Sequence, residues 1–266
     1  MDDRFYGKKE TYGLWYELYK TALLGMNIGL GGDIHSSGEE NVCAFLDKRG
    51  NVETIFDVGA NTGEYTRMLG SYFQDARIHC FEPAGATFSI LADNMRDNDN
   101  VVLNNFGISD ERGEGVLYYD METSGLASLY KRQLDYFKID FSKSEKVQIE
   151  TLDGYCEKNH IEKIDFLKLD IEGNEWNALR GGQKLLGKGC IGAIQIEFGG
   201  CNIDSRTYFR DFWNLLHEDY SAYRILKDGL WEITNYTERL ECFCNTNYFF
   251  AHKNPEQTQD RKKNGR

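Results

Sequence analysis

The fold is decided by the ten residues Ile55-Phe56-Asp57-Val58-Gly59-Ala60-Asn61-Thr62-Gly63-Glu64. Here an apolar run ends in an acid and passes into a glycine-spaced turn, after which the sequence favours a helix. A second apolar run, Arg77-Ile78-His79-Cys80-Phe81-Glu82-Pro83, follows and also ends in an acid. Two such units predict a nucleoside-binding crevice at the carboxyl ends of two parallel strands.

The spacing of the glycines indicates which cofactor the turn suits. A dinucleotide-binding turn reads G-x-G-x-x-G, and its three glycines correspond here to Gly59, Asn61 and Glu64. Two glycines are therefore missing, and Glu64 would bring a negative charge to the place where a pyrophosphate binds. A cationic ligand without phosphate suits the turn better. The pattern predicts S-adenosylmethionine and disfavours a dinucleotide oxidoreductase.

Two acids receive roles in this cofactor site. Asp57 and the backbone after Gly59 are expected to hold the methionine part of the cofactor. Glu82 ends the second strand, where an acid of nucleotide-binding folds accepts hydrogen bonds from the ribose hydroxyls. A glycine-rich turn alone is often only a tight connection between a strand and a helix. The presence of Glu82 at this spacing argues against that simpler interpretation.

Size and composition limit the class of protein. A chain of 266 residues is long enough for one α/β domain with additions. No run reaches the roughly 18 apolar residues of a membrane span, and the N-terminus lacks the pattern of an export signal. The seven cysteines are scattered and mostly lie in apolar runs, which is typical of reduced thiols and predicts a cytoplasmic protein. The formal charge of −12 argues against a nucleic-acid partner.

From residue 52 onward the chain alternates between strand-like and helix-like segments, which predicts a mainly parallel sheet covered on both faces. The stretch 113–149 is too long for a plain loop and is expected to hold an inserted hairpin and a loop beside the active site. The strands are expected near 53–58, 76–82, 101–106, 163–169, 191–198, 222–226 and 246–252. The helices are expected near 63–74, 84–97, 152–159, 174–186 and 205–219.

The N-terminal region is predicted to be helical. Leucines at near-helical spacing indicate a helix near Glu10–Leu24, and a glycine cluster ends it. Ser37-Gly38-Glu39-Glu40 is typical of a capping box and predicts a second helix through about Lys48. This region is expected either to cap the active site or to form the interface of a homodimer.

By these motifs the chain resembles the FkbM family of S-adenosylmethionine-dependent methyltransferases, over about residues 38–253. The resemblance rests on three blocks in order: residues 56–63, residues 81–83, and Thr151-Leu152-Asp153 leading to residues 164–175. The last block contains the pattern K-x-D-x-E-G-x-E at Lys168–Glu175 and is the most specific of the three. General methyltransferases share the first two blocks.

The resemblance implies a Rossmann-like class I methyltransferase fold: a mostly parallel seven-stranded sheet with helices on both faces and a late antiparallel strand at the sheet edge. The chain is expected to divide into an N-terminal helical extension or lid over 1–50, a methyltransferase domain over 51–253 and a tail over 254–266 whose polar, charged and aperiodic sequence predicts disorder. The segment Gly107-Ile108-Ser109-Asp110 resembles the family's adenine-lining segment. The expected cofactor-binding residues are Asp57, Gly59, Asn61, Gly63, Glu64, Glu82, Pro83, Gly107, Ile108 and Asp170.

Candidate catalytic residues follow the fourth and fifth predicted strands. Asp170 is expected at the carboxyl end of the fourth strand, where it could orient the acceptor hydroxyl or take its proton. Glu197 ends the fifth strand and would face the same crevice. Glu172 is a third candidate, although Glu172 and Glu175 could equally be N-terminal acids of the next helix. A buried Lys168 near Asp170 would most simply form a structural ion pair.

Two further possibilities concern the proton and a metal. Histidine is the usual general base, and His35 could enter the site from a lid, whereas His79 lies within a strand and is expected in the core. Asp170 and Glu197 could also bind Mg²⁺, which takes one or two protein carboxylates together with water and substrate. That alternative stays open, and no metal site is predicted.

The leading hypothesis is an O-methyltransferase that acts on a hydroxyl of a sugar, a glycan precursor or a natural product. The amino-methyltransferase signature (N/D)-P-P-aromatic is absent, and the chain has only two prolines. The rival hypothesis is a nucleoside-binding or interaction module that lost its chemistry. Six aromatic residues are expected either to stack on a sugar at the mouth or to be core and dimer contacts: Tyr130, Tyr136, Phe137, Tyr208, Phe209 and Trp213.

Overall fold

The structure is a computed structural model that describes residues 5–30, 32, 34 and 36–253. His35 and the predicted disordered tail 254–266 lie outside the described residues.

One eight-stranded sheet organises the chain. Its strand order is β10-β9-β11-β8-β7-β1-β2-β3. These strands are β1 (Thr54–Val58), β2 (Arg77–Phe81), β3 (Val101–Asn104), β7 (Phe166–Leu169), β8 (Ala193–Phe198), β9 (Tyr220–Leu226), β10 (Gly229–Ile233) and β11 (Thr246–His252). A second sheet has the order β4-β6-β5 and is formed by β4 (Gly107–Ile108), β5 (Gly113–Tyr119) and β6 (Lys143–Glu150).

The sheet confirms the α/β fold and all seven predicted strands. Strands β3, β2, β1, β7 and β8 pair in parallel, so the carboxyl ends of β1, β2, β7 and β8 share one edge. The late antiparallel strand exists as β11, but it lies between β8 and β9 and not at the sheet edge. The edge strand is β10, which sequence reasoning missed. It forms a hairpin with β9 through a two-residue turn at Lys227 and Asp228, because Gly229 already pairs with Leu226.

The helices lie mostly where the alternation predicts them. The predicted helix 174–186 is broken into α6 and α7, the predicted helix 205–219 is the shorter α9, and the short helix α8 before it was not predicted. At Gly181, between α6 and α7, the backbone passes so close to the carbonyl of Ser109 that a Cβ atom would lie 2.1 Å from its oxygen. The helices are α1 (Tyr12–Gly25), α2 (Glu40–Arg49), α3 (Glu64–Tyr72), α4 (Gly85–Met95), α5 (Leu152–Asn159), α6 (Glu175–Arg180), α7 (Gln183–Gly187), α8 (Cys201–Ser205) and α9 (Phe209–Leu216).

The motif Thr151-Leu152-Asp153 has a structural function. The hydroxyl of Thr151 accepts a hydrogen bond from the amide of Gly154 and so caps α5. The carboxylate of Asp153 accepts hydrogen bonds from the amides of Lys184 and Leu185 in α7. Because these amides have no partner within their own helix, the two side chains fix the position of α7 against α5.

The predicted insertion is an antiparallel hairpin of β5 and β6, and the chain between these strands runs toward the carboxyl edge of the main sheet. Apolar residues fill both faces of the main sheet, with Phe56 and Phe81 in one cluster and Ile55 and Phe249 in the other. His79 lies in this core as predicted, and its Nδ1 atom is 2.8 Å from the hydroxyl of Tyr155.

The N-terminal region packs differently from the rest. Helix α1 contains no buried residue. Helix α2 packs on α3 and on β9. The predicted capping box does not form, because the hydroxyl of Ser37 donates to the side chain of Glu39 and the side chain of Glu40 accepts from Tyr72. Among the helices of the described residues, none combines the length and the apolar character that crossing a membrane requires.

Candidate active site

Two adjoining cavities open at the carboxyl edge of the sheet. The first has an empty volume of about 670 Å³, and β2, β4, the inserted segment and the turn after β1 supply most of its lining. The second has about 1000 Å³ and lies toward β8 and the segment before α2. Residues common to both walls mark where the cavities meet: Gly59, Asn61, Gly125, Asp170 and Glu172.

The turn after β1 depends on Gly59. This residue has φ +84°, and a Cβ atom would lie 1.8 Å from the carbonyl oxygen of Asp170. Only glycine therefore allows the turn to lie against the end of β7. Gly63 has φ +89° and begins α3, but a Cβ atom there would contact Met95 and Leu91. Gly63 thus shapes the turn without lining either cavity.

Glu82 joins the turn to the end of β2. Its Oε2 atom accepts a hydrogen bond from the amide of Asn61 at 3.0 Å, and its Oε1 atom accepts one from the amide of Ala84 at 2.9 Å. The side chain is buried and lines the first cavity. Burial raises the pKa of Glu82 to about 7, although the two amides oppose the shift. Each oxygen keeps a lone pair for a further donor in the cavity.

The pattern E-G-x-E after β7 builds a tight turn. Glu172 has φ +50° and Gly173 has φ +104°, so the backbone is left-handed at two successive residues. Glu175 stabilises this turn, because its Oε1 atom accepts the amides of Ile171 and Gly173 at 2.9 and 3.1 Å. The turn directs the side chain of Glu172 toward both cavities. Of the two acids, Glu175 is therefore the one that opens the helix.

Lys168 lies beneath the second cavity among three acids. Its Nζ atom is 2.9 Å from Oδ2 of Asp170 and 3.8 Å from Oδ1 of Asp57. Burial alone would lower the pKa of Lys168, but Asp170, Asp57 and Glu39 raise it above its ordinary value. The ammonium also lies 4.7 Å from the ring centroid of Tyr65. Lys168 is thus a charged residue whose neutralising partners include Asp170, as the structural pairing predicts.

Glu172 and Glu197 come together in the wall of the second cavity, with Glu172 at its junction with the first. Arg132 donates to Oε2 of Glu172 at 2.5 Å, and Asn245 donates to Oε1 of Glu197 at 2.8 Å. Burial raises the pKa of Glu172 to about 8 against the effect of Arg132, and it raises the pKa of Glu197 well above its ordinary value. Glu172, Glu197 and Cys201 each place one potential metal-ligand atom, a carboxylate oxygen or the sulfur, within 4.8 Å of the other two.

The structure brings most of the predicted site residues to the two cavities. Asp57 is the exception among the acids: it is fully buried behind them, where it accepts from the hydroxyl of Thr66, and burial raises its pKa. Glu64 and Glu197 line the second cavity only. Seven predicted cofactor residues line the first cavity: Gly59, Asn61, Glu82, Pro83, Gly107, Ile108 and Asp170.

Several residues in the walls were missed by sequence reasoning. Glu39 lines the second cavity and accepts from Nε2 of Gln195, which in turn accepts from the hydroxyl of Tyr65. Asn174 lines the first cavity and donates to the carbonyl of Ile108. Asn174 lies inside the quoted motif and could have been named. Glu39 carried only a capping signal, since its contact with β8 joins residues 156 positions apart.

The six aromatic residues do not act as one group. Phe209 is in the core, Trp213 packs against the core and Tyr130 bonds to Asn177, which supports the structural interpretation for these three. Tyr136, Phe137 and Tyr208 are exposed. None of the six lines either cavity.

A family model described as "Methyltransferase FkbM domain" matches residues 57–224. This match begins at Asp57, runs through both cavities and ends in β9. It therefore contains the turn after β1, Glu82 and the whole E-G-x-E turn.

Among curated proteins, 2-O-methyltransferase NoeI of Sinorhizobium fredii is 27% identical over 143 residues, which is 50% of this chain and 59% of that protein. Methyltransferase sdnD of Sordaria araneosa is 28% identical over 154 residues, which is 48% of this chain and 59% of that protein. The chain thus spans somewhat over half the length of the curated relatives it matches.

Solved structures are similar at lower identity. A crystal structure of methyltransferase FkbM from Methylobacillus flagellatus aligns with a TM-score of 0.45 and 17% identity, over 74% of this chain and 43% of that one. An O-methyltransferase from Bacillus cereus in complex with SAH aligns with a TM-score of 0.45 and 13% identity, over 94% of this chain and 93% of that one.

Proposed function

The chain belongs to the FkbM methyltransferase family, and from that premise we propose that it transfers a methyl group from S-adenosylmethionine to a hydroxyl oxygen of a small molecule. The first cavity would hold the nucleoside of the cofactor, with Glu82 accepting hydrogen bonds from the ribose. The second cavity would hold the acceptor. A sugar, a glycan precursor or a natural product is the proposed class of acceptor.

The observation that carries this proposal is the junction of the two cavities at Gly59, Asp170 and Glu172. A methyl donor in one cavity and a hydroxyl in the other would have their reacting groups side by side, and such alignment supplies much of the rate of a transfer reaction. A sulfonium supplies an activated methyl group, so the protein needs only to position it and accept a proton. The relative named a 2-O-methyltransferase supports oxygen as the acceptor atom.

The charges in the walls of the cavities and directly behind them fit a cationic cofactor. Asp57, Asp170 and Glu39 surround the single charge of Lys168, and Oδ1 of Asp57 is buried without a hydrogen-bond partner. This excess of carboxylates favours a ligand with positive charges and disfavours phosphates. We propose further that transfer does not use Mg²⁺, because Asp170 is bonded to Lys168 and Glu172 to Arg132.

Calorimetric titration tests the cofactor and labelled transfer tests the reaction. We expect micromolar binding of S-adenosylmethionine and of its demethylated product, with none for NAD⁺ and no effect of EDTA. Incubation with methyl-labelled cofactor and a panel of hydroxylated acceptors should then yield an acceptor that carries the labelled methyl group on oxygen, as a methyl ether. If neither S-adenosylmethionine nor its demethylated product bound, with or without the acceptors of the panel, the proposal would be contradicted and a non-catalytic module favoured. Binding without labelling of any acceptor would leave the cofactor site intact and remove the transfer.

A further inference from the structure

We propose that Arg132 is a positioning residue that makes Glu172, and not Glu197, the first acid of this buried pair to ionise, so that Glu172 takes the proton of the acceptor hydroxyl. This inference rests on the proposed function. Arg132 belongs to the segment between β5 and β6, which sequence reasoning treated only as a loop beside the site. Its role therefore gives the insertion a chemical purpose.

Two buried acids, Glu172 and Glu197, form a close pair beside the second cavity. Glu172 and Glu197 place carboxylate oxygens within 4.8 Å of each other, and the side chains are largely buried. Two negative charges at this separation in a buried site repel strongly, so the pair holds a proton at neutral pH. The proton is shared between the two carboxylates unless a neighbouring group stabilises the charge of one of them more than that of the other.

Arg132 stabilises the charge of Glu172 more than that of Glu197. Its side chain is 8% exposed, and it donates to Oε2 of Glu172 at 2.5 Å. Among the described residues no cation forms an ion pair with Glu197, whose Oε1 atom accepts a hydrogen bond from the neutral amide of Asn245. A guanidinium stabilises the carboxylate that it touches far more than an amide does. Glu172 therefore ionises first, and Glu197 keeps the proton.

The surroundings hold Arg132 in place. Its Nε atom lies 3.7 Å from Oδ2 of Asp204, and the hydroxyl of Ser128 donates to the carbonyl of Glu172 at 2.7 Å. The inserted segment thus binds both the backbone and the side chain of Glu172. Such double fixation stabilises the left-handed conformation of Glu172.

The other charged and titratable groups around Glu172 act in one direction. Asp170 and Glu175 raise its pKa, and Glu197 and Cys201 lie beside it. Arg132 alone lowers it among the described residues. This cluster suits Mg²⁺ poorly as a binding site. Mg²⁺ prefers oxygen ligands, whereas the cluster includes the thiol of Cys201 and the guanidinium of Arg132.

The chemical step balances with the groups present. As the hydroxyl oxygen bonds to the methyl carbon, the sulfur–methyl bond breaks with its electron pair left on sulfur, and the hydroxyl proton passes to Glu172. Glu172 lines both cavities, whereas Glu197 lines only the second. Glu172 is thus the acid of the pair that borders the place of transfer.

NMR of protein labelled with ¹³C at the glutamate carboxyl carbons can measure the titration of Glu172. Its signal is identified as the one that disappears in Glu172→Gln. We expect its midpoint to move to higher pH in Arg132→Gln and to return toward the wild-type value in Arg132→Lys. The matched control is Arg180→Gln, which removes a guanidinium from a half-exposed pair with Asp110 and should leave the midpoint unchanged. Circular dichroism verifies that each variant folds.

An unchanged midpoint in folded Arg132→Gln, or a titration that Glu197→Gln abolishes instead, would overturn the assignment. When an acceptor is in hand, the acidic limb of kcat should move to higher pH in Arg132→Gln while the affinity for the demethylated cofactor stays the same. The NMR readout needs no acceptor. A failure of the proposed methyl transfer is therefore distinguishable from a failure of this inference.

Discussion

The amide of Asn61 donates a hydrogen bond to Oε2 of Glu82 at 3.0 Å. This bond joins the two stretches on which the fold rests, the turn after β1 and the acid that ends β2. It orients the carboxylate toward the first cavity without neutralising it. The cofactor site is therefore one connected unit, and a change at either residue should affect the binding of the nucleoside.

Replacement of Glu82 by glutamine should weaken the binding of the demethylated cofactor at pH 8 by about ten- to a hundredfold. A hydrogen bond to a charged group contributes about 1.5–3 kcal/mol, and about 1.4 kcal/mol corresponds to a factor of ten. Calorimetric titration measures the change. Glu114→Gln removes an exposed carboxylate outside both cavities and serves as the control. Unchanged affinity in folded Glu82→Gln would remove the ribose contact from the proposal.

The affinity of the wild type should also depend on pH through Glu82. Burial raises the pKa of this group to about 7, so the carboxylate is present above that pH and the neutral acid below it. Since ribose hydroxyls donate to the carboxylate more strongly than to the acid, affinity should fall as the pH decreases from 8 to 6. In Glu82→Gln this limb should disappear. A limb that persists in the variant would assign the titration to another acid.

The sequence was sufficient for the features that local patterns encode. Strands β1 and β2, the turn at Gly59 and the acid Glu82 each follow from a short run of residues. Their place at one sheet edge follows from the parallel pairing that strand–helix alternation predicts.

Contacts between distant segments could not be predicted in the same way. Glu39 reaches the site only because α2 packs beside β9, and Arg132 reaches Glu172 only through the path of a long insertion. Neither residue lies in a motif with a recognisable period. The position of β11 inside the sheet likewise depends on pairing with β8 and β9, which a single strand pattern does not specify.

Replacement of Gly59 by alanine should destabilise the fold by about 3 kcal/mol or more and abolish cofactor binding. The new Cβ atom would lie 1.8 Å from the carbonyl oxygen of Asp170, so the turn or the end of β7 must move. Gly29→Ala is the matched control, since Gly29 has φ +86° but open space around its Cβ position. Gly29→Ala should lower the free energy of unfolding by only about 1–2 kcal/mol, the cost of a left-handed backbone at a residue with a Cβ atom. Urea unfolding compares the two, and equal losses would show that the close approach is relieved.

Replacement of Lys168 by methionine should lower the free energy of unfolding by about 3–5 kcal/mol at pH 7.5, because it leaves buried acids without their cation. Asp57 is fully buried, and the pKa of Asp57 and of Glu39 is already raised by burial against the effect of Lys168. Without Lys168 these pKa values rise further. A carboxyl whose folded pKa is raised contributes stability below its unfolded pKa that is lost as the pH increases. The destabilisation should therefore shrink as the pH is lowered toward 5.

The matched control for this variant is Lys163→Met. Lys163 also pairs with an aspartate, Asp165, but its side chain is 52% exposed, and Asp165 keeps the amides of Glu53 and Thr54 as donors. Exposed pairs contribute about 0–1 kcal/mol, so this change should be small and nearly independent of pH. Urea unfolding between pH 5 and 8 measures both variants. If Lys168→Met were as mild as Lys163→Met at pH 7.5, the acids beneath the second cavity would have to be neutral in the native protein, and the cationic character of the favoured ligand would lose its electrostatic basis.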